Sequence, residues 1–226
     1  MKIPKEIDGM LKRSEELLLD LSNEYHECIS ENNITERLKN ITHEIIEKDR
    51  HILDKIMRNI WNKYWSSNKG QHNIYFPITQ SDSHFSKKMN DNGMKDLEVK
   101  NKALYDYLVS IQPYKHKRND WVSQLTKVAG KGKHEHYKDQ KRKDFLHTTI
   151  TTLDVGTRIS WAEPIGKENI KLDPFKKNLL KNPNLTVEHD IGKNIILDGI
   201  NENVGIYCEI LVKKIKKLVH EIFNLL

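Results

Sequence analysis

Only two cysteines, Cys28 and Cys208, occur in 226 residues. Both fall in helical patterns, so they read as reduced core thiols of a cytoplasmic protein and exclude a disulfide framework. No apolar run approaches the roughly 20 residues that a bilayer-spanning helix needs, so no membrane partner is expected. The opening Met-Lys-Ile-Pro-Lys is followed by no apolar h-region, so no signal peptide is expected either. Internal repeats and low-complexity linkers are missing, which leaves one large domain or a domain with an appendage. Hydrophobic residues reach only 37% while charged residues make up 31%. That balance predicts long helices with strongly solvated outer faces around a core of adequate size.

What is present begins with residues 34–65. Ile34, Leu38, Ile41, Ile45, Ile46, Ile52, Leu53, Ile56, Met57, Ile60, Trp61 and Tyr64 recur at three- and four-residue steps, the helical period. Held over about eight turns, it predicts a helix of roughly 45–50 Å. Asn33 with Glu36 reads as a capping box at its start. Arg50 lies about 40° from Ile46 on the helical wheel, inside the apolar arc, where a charge needs a partner. Asp54, one turn on, is that partner.

Residues 5–29 predict a first helix, antiparallel to the long one across the Glu31-Asn32-Asn33 turn. Residues 73–78 read as a short extended piece and 81–92 as a short helix with loop. Residues 95–111 give a third main helix, stopped by Gln112-Pro113. A fourth helix is predicted over 120–128 with Asp120 as N-cap, and a helix resumes over 136–146. Residues 148–154 are β-branched and alternating, a strand signature, and 158–162, 185–189 and 194–197 are further strands. Val204, Cys208, Leu211, Ile215, Leu218, Ile222 and Leu225 form a closing heptad helix, with Lys213, Lys214, Lys216 and Lys217 on its outer face. The fold class is therefore α+β, mainly α. Residues 1–147 form a helical bundle, 148–200 a small antiparallel β insertion, and 201–226 a C-terminal helix returning to the bundle.

Four segments in order carry a resemblance: Glu47-Lys-Asp-Arg-His-Ile-Leu-Asp-Lys55, Tyr75-Phe-Pro-Ile78, Ile111-Gln-Pro-Tyr114 and Gly130-Lys-Gly-Lys-His134. The chain resembles, from about residue 34 onward, a large family of uncharacterised bacterial proteins. Their long helix reads HNLRxxLDH, followed by FPI, QPY, NxDKH, a β-rich tail and a closing helix. The resemblance assigns the family's Arg and Asp to Arg50 and Asp54, its Gln to Gln112, and its Lys-His to Lys133 and His134. Glu47, Lys55, Gly130 and Gly132 stand where the family carries His, His, Asn and Asp. No activity comes with the resemblance.

Three chemistries are offered by these residues. Arg50, Asp54, Gln112, Lys131, Lys133 and His134 suggest a polar pocket with cations for a phosphate and an imidazole that titrates near neutral pH; the competing reading is a register-fixing ion pair with helix-capping residues. Arg142 and His147, with four residues between them at an expected helix-to-strand junction, resemble the Arg and His of HEPN-like ribonucleases, as do Arg37 and His43 with five between. Metal binding by His134, His136 and His147, or by His43, Glu47 and His51, lacks an HExxH pattern, so neither metal nor cofactor is expected. Gly130-Lys-Gly-Lys133 has no strand before it and no Ser or Thr after it, so it is not a nucleotide P-loop. Trp61, Trp65, Trp121 and Trp161 read as core and seam residues rather than stacking platforms.

The net charge of +6 is local. Residues 115–147 hold ten Lys and Arg against four Asp and Glu, a surplus equal to the whole excess. The expectation is a protein that binds an anionic partner, RNA before other polyanions, through this basic surface. The alternative is a non-catalytic interaction module, a homodimer or partner complex built on the closing heptad helix. A metal-independent, HEPN-like ribonuclease is the third reading.

Overall fold

The computed structural model describes residues 2–65, 73–131, 140–152, 158–164, 185–197 and 200–226. Helix α1 (Lys5–Glu31) and helix α2 (Glu36–Trp65) form the expected hairpin. Asn32 ends α1 in the left-handed region at φ 62°, where its N–H reaches the Cys28 carbonyl, a conformation asparagine tolerates better than most residues. The cap of α2 is Thr35 rather than Asn33: its Oγ1 accepts from the Leu38 N–H at 3.1 Å. The same hydroxyl donates to Glu24 on α1, so one side chain both starts α2 and ties it to its neighbour. From Leu38 to Ile60 the predicted stripe is buried, with Ile45, Ile46, Ile52, Leu53, Ile56, Met57 and Ile60 all fully enclosed.

Helix α3 (Asp82–Asp91) is capped by Ser81, whose side chain accepts from the His84 N–H. The single helix expected over 95–111 is two pieces, α4 (Leu97–Lys100) and α5 (Lys102–Ser110). Asn101 breaks it by adopting extended backbone and capping α5 at the Leu104 N–H. Its amide also donates to the Tyr64 hydroxyl and the Leu225 carbonyl, which tertiary bonds reward the break. Two short 3₁₀ turns, Pro113–Lys115 and Lys117–Asn119, lead into α6 (Asp120–Lys131).

A four-stranded antiparallel sheet of order β2-β1-β3-β4 follows. Its strands are β1 (Gln140–Thr152), β2 (Arg158–Pro164), β3 (Leu185–Leu197) and β4 (Glu202–Asn203). The helix expected over 136–146 is overturned across 140–146: β1 begins at Gln140, not at Thr148. Register explains this, since Gln140, Lys141 and Arg142 pair with Leu197, Ile196 and Ile195. Those three partners are buried, and pairing with an apolar strand overrides the weak local preference of a Lys/Arg-rich stretch. The two strands expected over 185–189 and 194–197 are one, because β1 offers a continuous partner across Asp190 to Lys193.

Helix α7 (Val204–Leu225) returns to the bundle. Val204, Cys208, Leu211, Ile215, Leu218 and Ile222 are buried, and the helix packs on α1, α2 and α5. The heptad stripe is spent inside the chain. Tyr25 of α1 binds the sheet to the bundle: its hydroxyl accepts from the Ile195 N–H and the Asn203 amide and lies 3.4 Å from Asn194 Oδ1. Among the described residues no helix is long and apolar enough to cross a membrane.

Candidate functional site

Arg50, Asp54 and Gln112 converge, but on the chain's own backbone. Arg50 Nη1 donates to Asp54 Oδ1 at 2.7 Å, with the two side chains 19% and 24% exposed. The same Oδ1 accepts from the Phe76 N–H at 2.8 Å. Gln112 is wholly buried. Its Nε2 donates to the Pro77 and Leu108 carbonyls and its Oε1 accepts from the Thr79 N–H and hydroxyl, which uses its full donor and acceptor capacity. Asn92 clamps Tyr75 on both sides, donating to its carbonyl and accepting from its N–H.

Residues 75–79 have no regular secondary structure and pair with no strand among the described residues, so their polar backbone groups need side-chain partners. Asp54, Asn92 and Gln112 supply them, and Asp54 keeps Arg50 neutralised. The motif residues are thus a clasp that holds an irregular segment against the bundle. Asn92 carried no motif and was not singled out from sequence. Lys133 and His134 lie outside the described residues, as does the Lys131 side chain.

Arg142 and His147 both stand on β1, about 16 Å apart at the strand rise, and not at a helix end. Arg142 is committed elsewhere: it pairs with Asp144 at 3.0 Å and donates to Asn32 Oδ1. The second pair is on α2, where Arg37 bonds Glu24 at 3.2 Å. The helical junction that the ribonuclease reading needed is absent from β1.

A group of four cations stands where α6 meets α7. Asn119 is buried and donates to the Ser110 and Gln112 carbonyls, pinning the turn between α5 and α6. His116 Nδ1 accepts from the Arg118 N–H at 3.0 Å, so Lys117 and Arg118 project into solvent. Trp121, in the first turn of α6, is half-buried. The Lys214 ammonium sits 5.6 Å from its ring centroid and donates to the Arg118 carbonyl at 3.3 Å. Lys217 lies one turn further along α7.

Two clefts flank this Trp121–Lys214 pair and share Arg118, Trp121 and Lys214. The larger, about 510 Å³, is completed by Tyr107, Ile111, Lys217 and Glu221. The smaller, about 300 Å³, adds Lys117, Asp120, Gln124 and Glu202. Among the described residues, no carboxylate pairs with Lys117, Arg118, Lys214 or Lys217. By contrast Lys115 pairs with Asp82, Lys213 with Glu209 and Lys216 with Glu15. Partial burial lowers the Lys214 pKa, the mark of a cation that has lost water without gaining a counter-ion. Burial, helped by the charge of Glu221, pushes the Tyr107 hydroxyl up to about 12, so it stays a neutral donor at physiological pH.

A second polar cluster lies deep among α1, α2 and α7. Asp49 is completely buried, and only its Oδ1 has a bond, from Ser14 Oγ at 2.9 Å. Its Oδ2 and the Tyr207 hydroxyl have no hydrogen-bond partner. Desolvation raises the Asp49 pKa to about 7, against opposing contributions from Ser14 and Lys48. Burial, then the Asp49 charge, raises the nearby Cys208 thiol, so that it is no nucleophile. Among the described residues no three His, Cys, Asp or Glu side chains gather to hold a metal ion.

No protein-family model, curated protein or solved structure matches this chain.

Proposed function

We propose that this is a cytoplasmic RNA-binding protein that holds the phosphate backbone in the clefts between α6 and α7. The observation that carries the reading is a group of four cations: Lys117, Arg118, Lys214 and Lys217, none paired with a carboxylate among the described residues, line two clefts that share Trp121. The four cations exceed the carboxylates on the same cleft walls by one, which leaves the clefts weakly basic. Asp120, Glu202 and Glu221 on the cleft walls argue against a site for densely charged small anions and suit a strand whose phosphates are spaced apart. Both cysteines are free and buried, which supports a reducing compartment.

This reading is preferred over an interaction module built on the closing heptad, because that stripe is occupied by the chain's own helices. No cleavage step is proposed. The test is fluorescence anisotropy with a labelled 12-nucleotide RNA. Four phosphate contacts imply a salt slope near −3 and roughly fiftyfold weaker binding at 200 mM than at 50 mM salt. Arg118→Glu with Lys217→Glu should weaken binding and shrink the slope to about half. Affinity that is flat across this salt range removes RNA from consideration.

A further inference from the structure

Trp65 is buried and donates its indole N–H to Asp96. Trp61 and Trp121 are both half-buried against the core, and a lysine ammonium stands near the rings of Trp65 and Trp121 alike. Trp121 in addition lines both clefts. The smaller cleft also carries Ile206 and Ile210, which are 56% and 46% exposed. An indole with open space beside it, edged by aliphatic side chains and free cations, is chemically suited to a planar base flanked by phosphates.

We infer that the ligand is single-stranded, with one unpaired base stacked on Trp121 and its flanking phosphates held by Arg118 and Lys217. The inference rests on the RNA reading above and narrows it. In a duplex the base faces are covered by their neighbours and cannot reach a ring recessed between two helices. The four cleft cations stand around a concavity, whereas a duplex is held across successive minor grooves. The larger cleft, about 510 Å³, falls within the range of small-ligand sites and so suits one nucleotide rather than a helix.

On this arrangement Lys214 holds the ring when no strand is present. Its contacts are the π-face and one carbonyl, and neither neutralises it. When a base enters, the ammonium gains a phosphate partner on its flexible stem while the ring gains a stacking partner.

The test compares a ten-residue oligouridylate, an abasic strand of equal length and a ten-base-pair RNA duplex at low salt. Binding is followed by tryptophan emission and by anisotropy, on wild type, Trp121→Leu and Trp121→Phe, each checked by circular dichroism. The oligouridylate should quench wild-type emission. Trp121→Leu should lose that quenching and bind the oligouridylate about ten- to a hundredfold more weakly, with the abasic strand little affected. Trp121→Phe, which keeps a ring, should retain most of the affinity. Equal binding of all three nucleic acids, with no effect at Trp121, overturns stacking while leaving RNA binding through the clefts intact. Preference for the duplex does the same. Failure of all three to bind overturns both readings.

Discussion

Replacing Asp49 by asparagine should make the protein more stable at alkaline pH and less stable below pH 5. The carboxyl is completely buried where α1, α2 and α7 meet, with only the Ser14 hydroxyl bonded to it. Its pKa rises from 3.8 in the unfolded chain to about 7 in the folded one. Below pH 3.8 both states hold the proton, so no penalty applies. Between the two values the unfolded chain releases a proton that the folded chain keeps, and stability falls as pH rises. Above pH 7 both states are ionised and the loss levels off. Three pH units at 1.36 kcal/mol each amount to about 4 kcal/mol. Asparagine keeps the Ser14 acceptor and has no charge to bury. Its amide adds donors without a partner, a pH-independent cost of about 1–3 kcal/mol. The informative quantity is therefore the difference between the two proteins' pH curves. Urea unfolding from pH 4.5 to 8.5 should give a wild-type minus Asp49→Asn difference that becomes more negative by several kcal/mol, mostly between pH 5 and 7.5. Parallel curves would refute the buried, proton-holding carboxylate.

Two further substitutions separate parts of the fold. Asp54→Ala leaves Arg50 without its carboxylate and the Phe76 N–H without its acceptor, so a loss of about 2–4 kcal/mol is expected. Arg50→Met should be close to neutral, since Asp54 keeps its backbone bond; thermal midpoints of the two variants would compare them, and equal midpoints for wild type and Asp54→Ala would count against the clasp. Leu211→Asp places a carboxylate at a position 1% exposed under α7, losing about 2–3 kcal/mol of apolar burial plus a desolvation penalty of several kcal/mol. The sum is comparable to the stability of a whole domain, so circular dichroism should report unfolding, and sedimentation of a helical, compact monomer would contradict it.

The long elements were legible because their signals are local and repeated. The stripe from Leu38 to Ile60 and the heptad from Val204 to Ile222 state their burial directly in their spacing. The β-branched run from Thr148 to Thr152 announced a strand for the same reason. Its first half did not, because Lys141 and Arg142 are made strand by the apolar Ile196 and Ile195 opposite them, more than fifty positions away. Asn101 broke a helix that looked continuous, since its reward is a pair of bonds to Tyr64 and Leu225. Gln112 and Asp54 stood out as motif residues, but a motif does not say whether a side chain faces a ligand or its own backbone.

The clefts were legible only in halves. The basic run starting at Lys115 and the lysines on the last helix were each visible as charge. Nothing local joins Arg118 to Lys214, which are 96 positions apart. The spacing of Lys214 and Lys217 fits a solvated helix face as well as a site. Lys213 and Lys216 find carboxylates while Lys214 and Lys217 do not, and that is a property of the folded surface.

The most direct measurement is photo-crosslinking of the protein to a 4-thiouridine-substituted single-stranded RNA, followed by peptide mapping. The account predicts crosslinks concentrated in residues 117–124 and 210–221, abolished by excess unlabelled single strand. Crosslinks confined to other faces, such as α3 with its exposed Lys87, and absent from both segments, would contradict it.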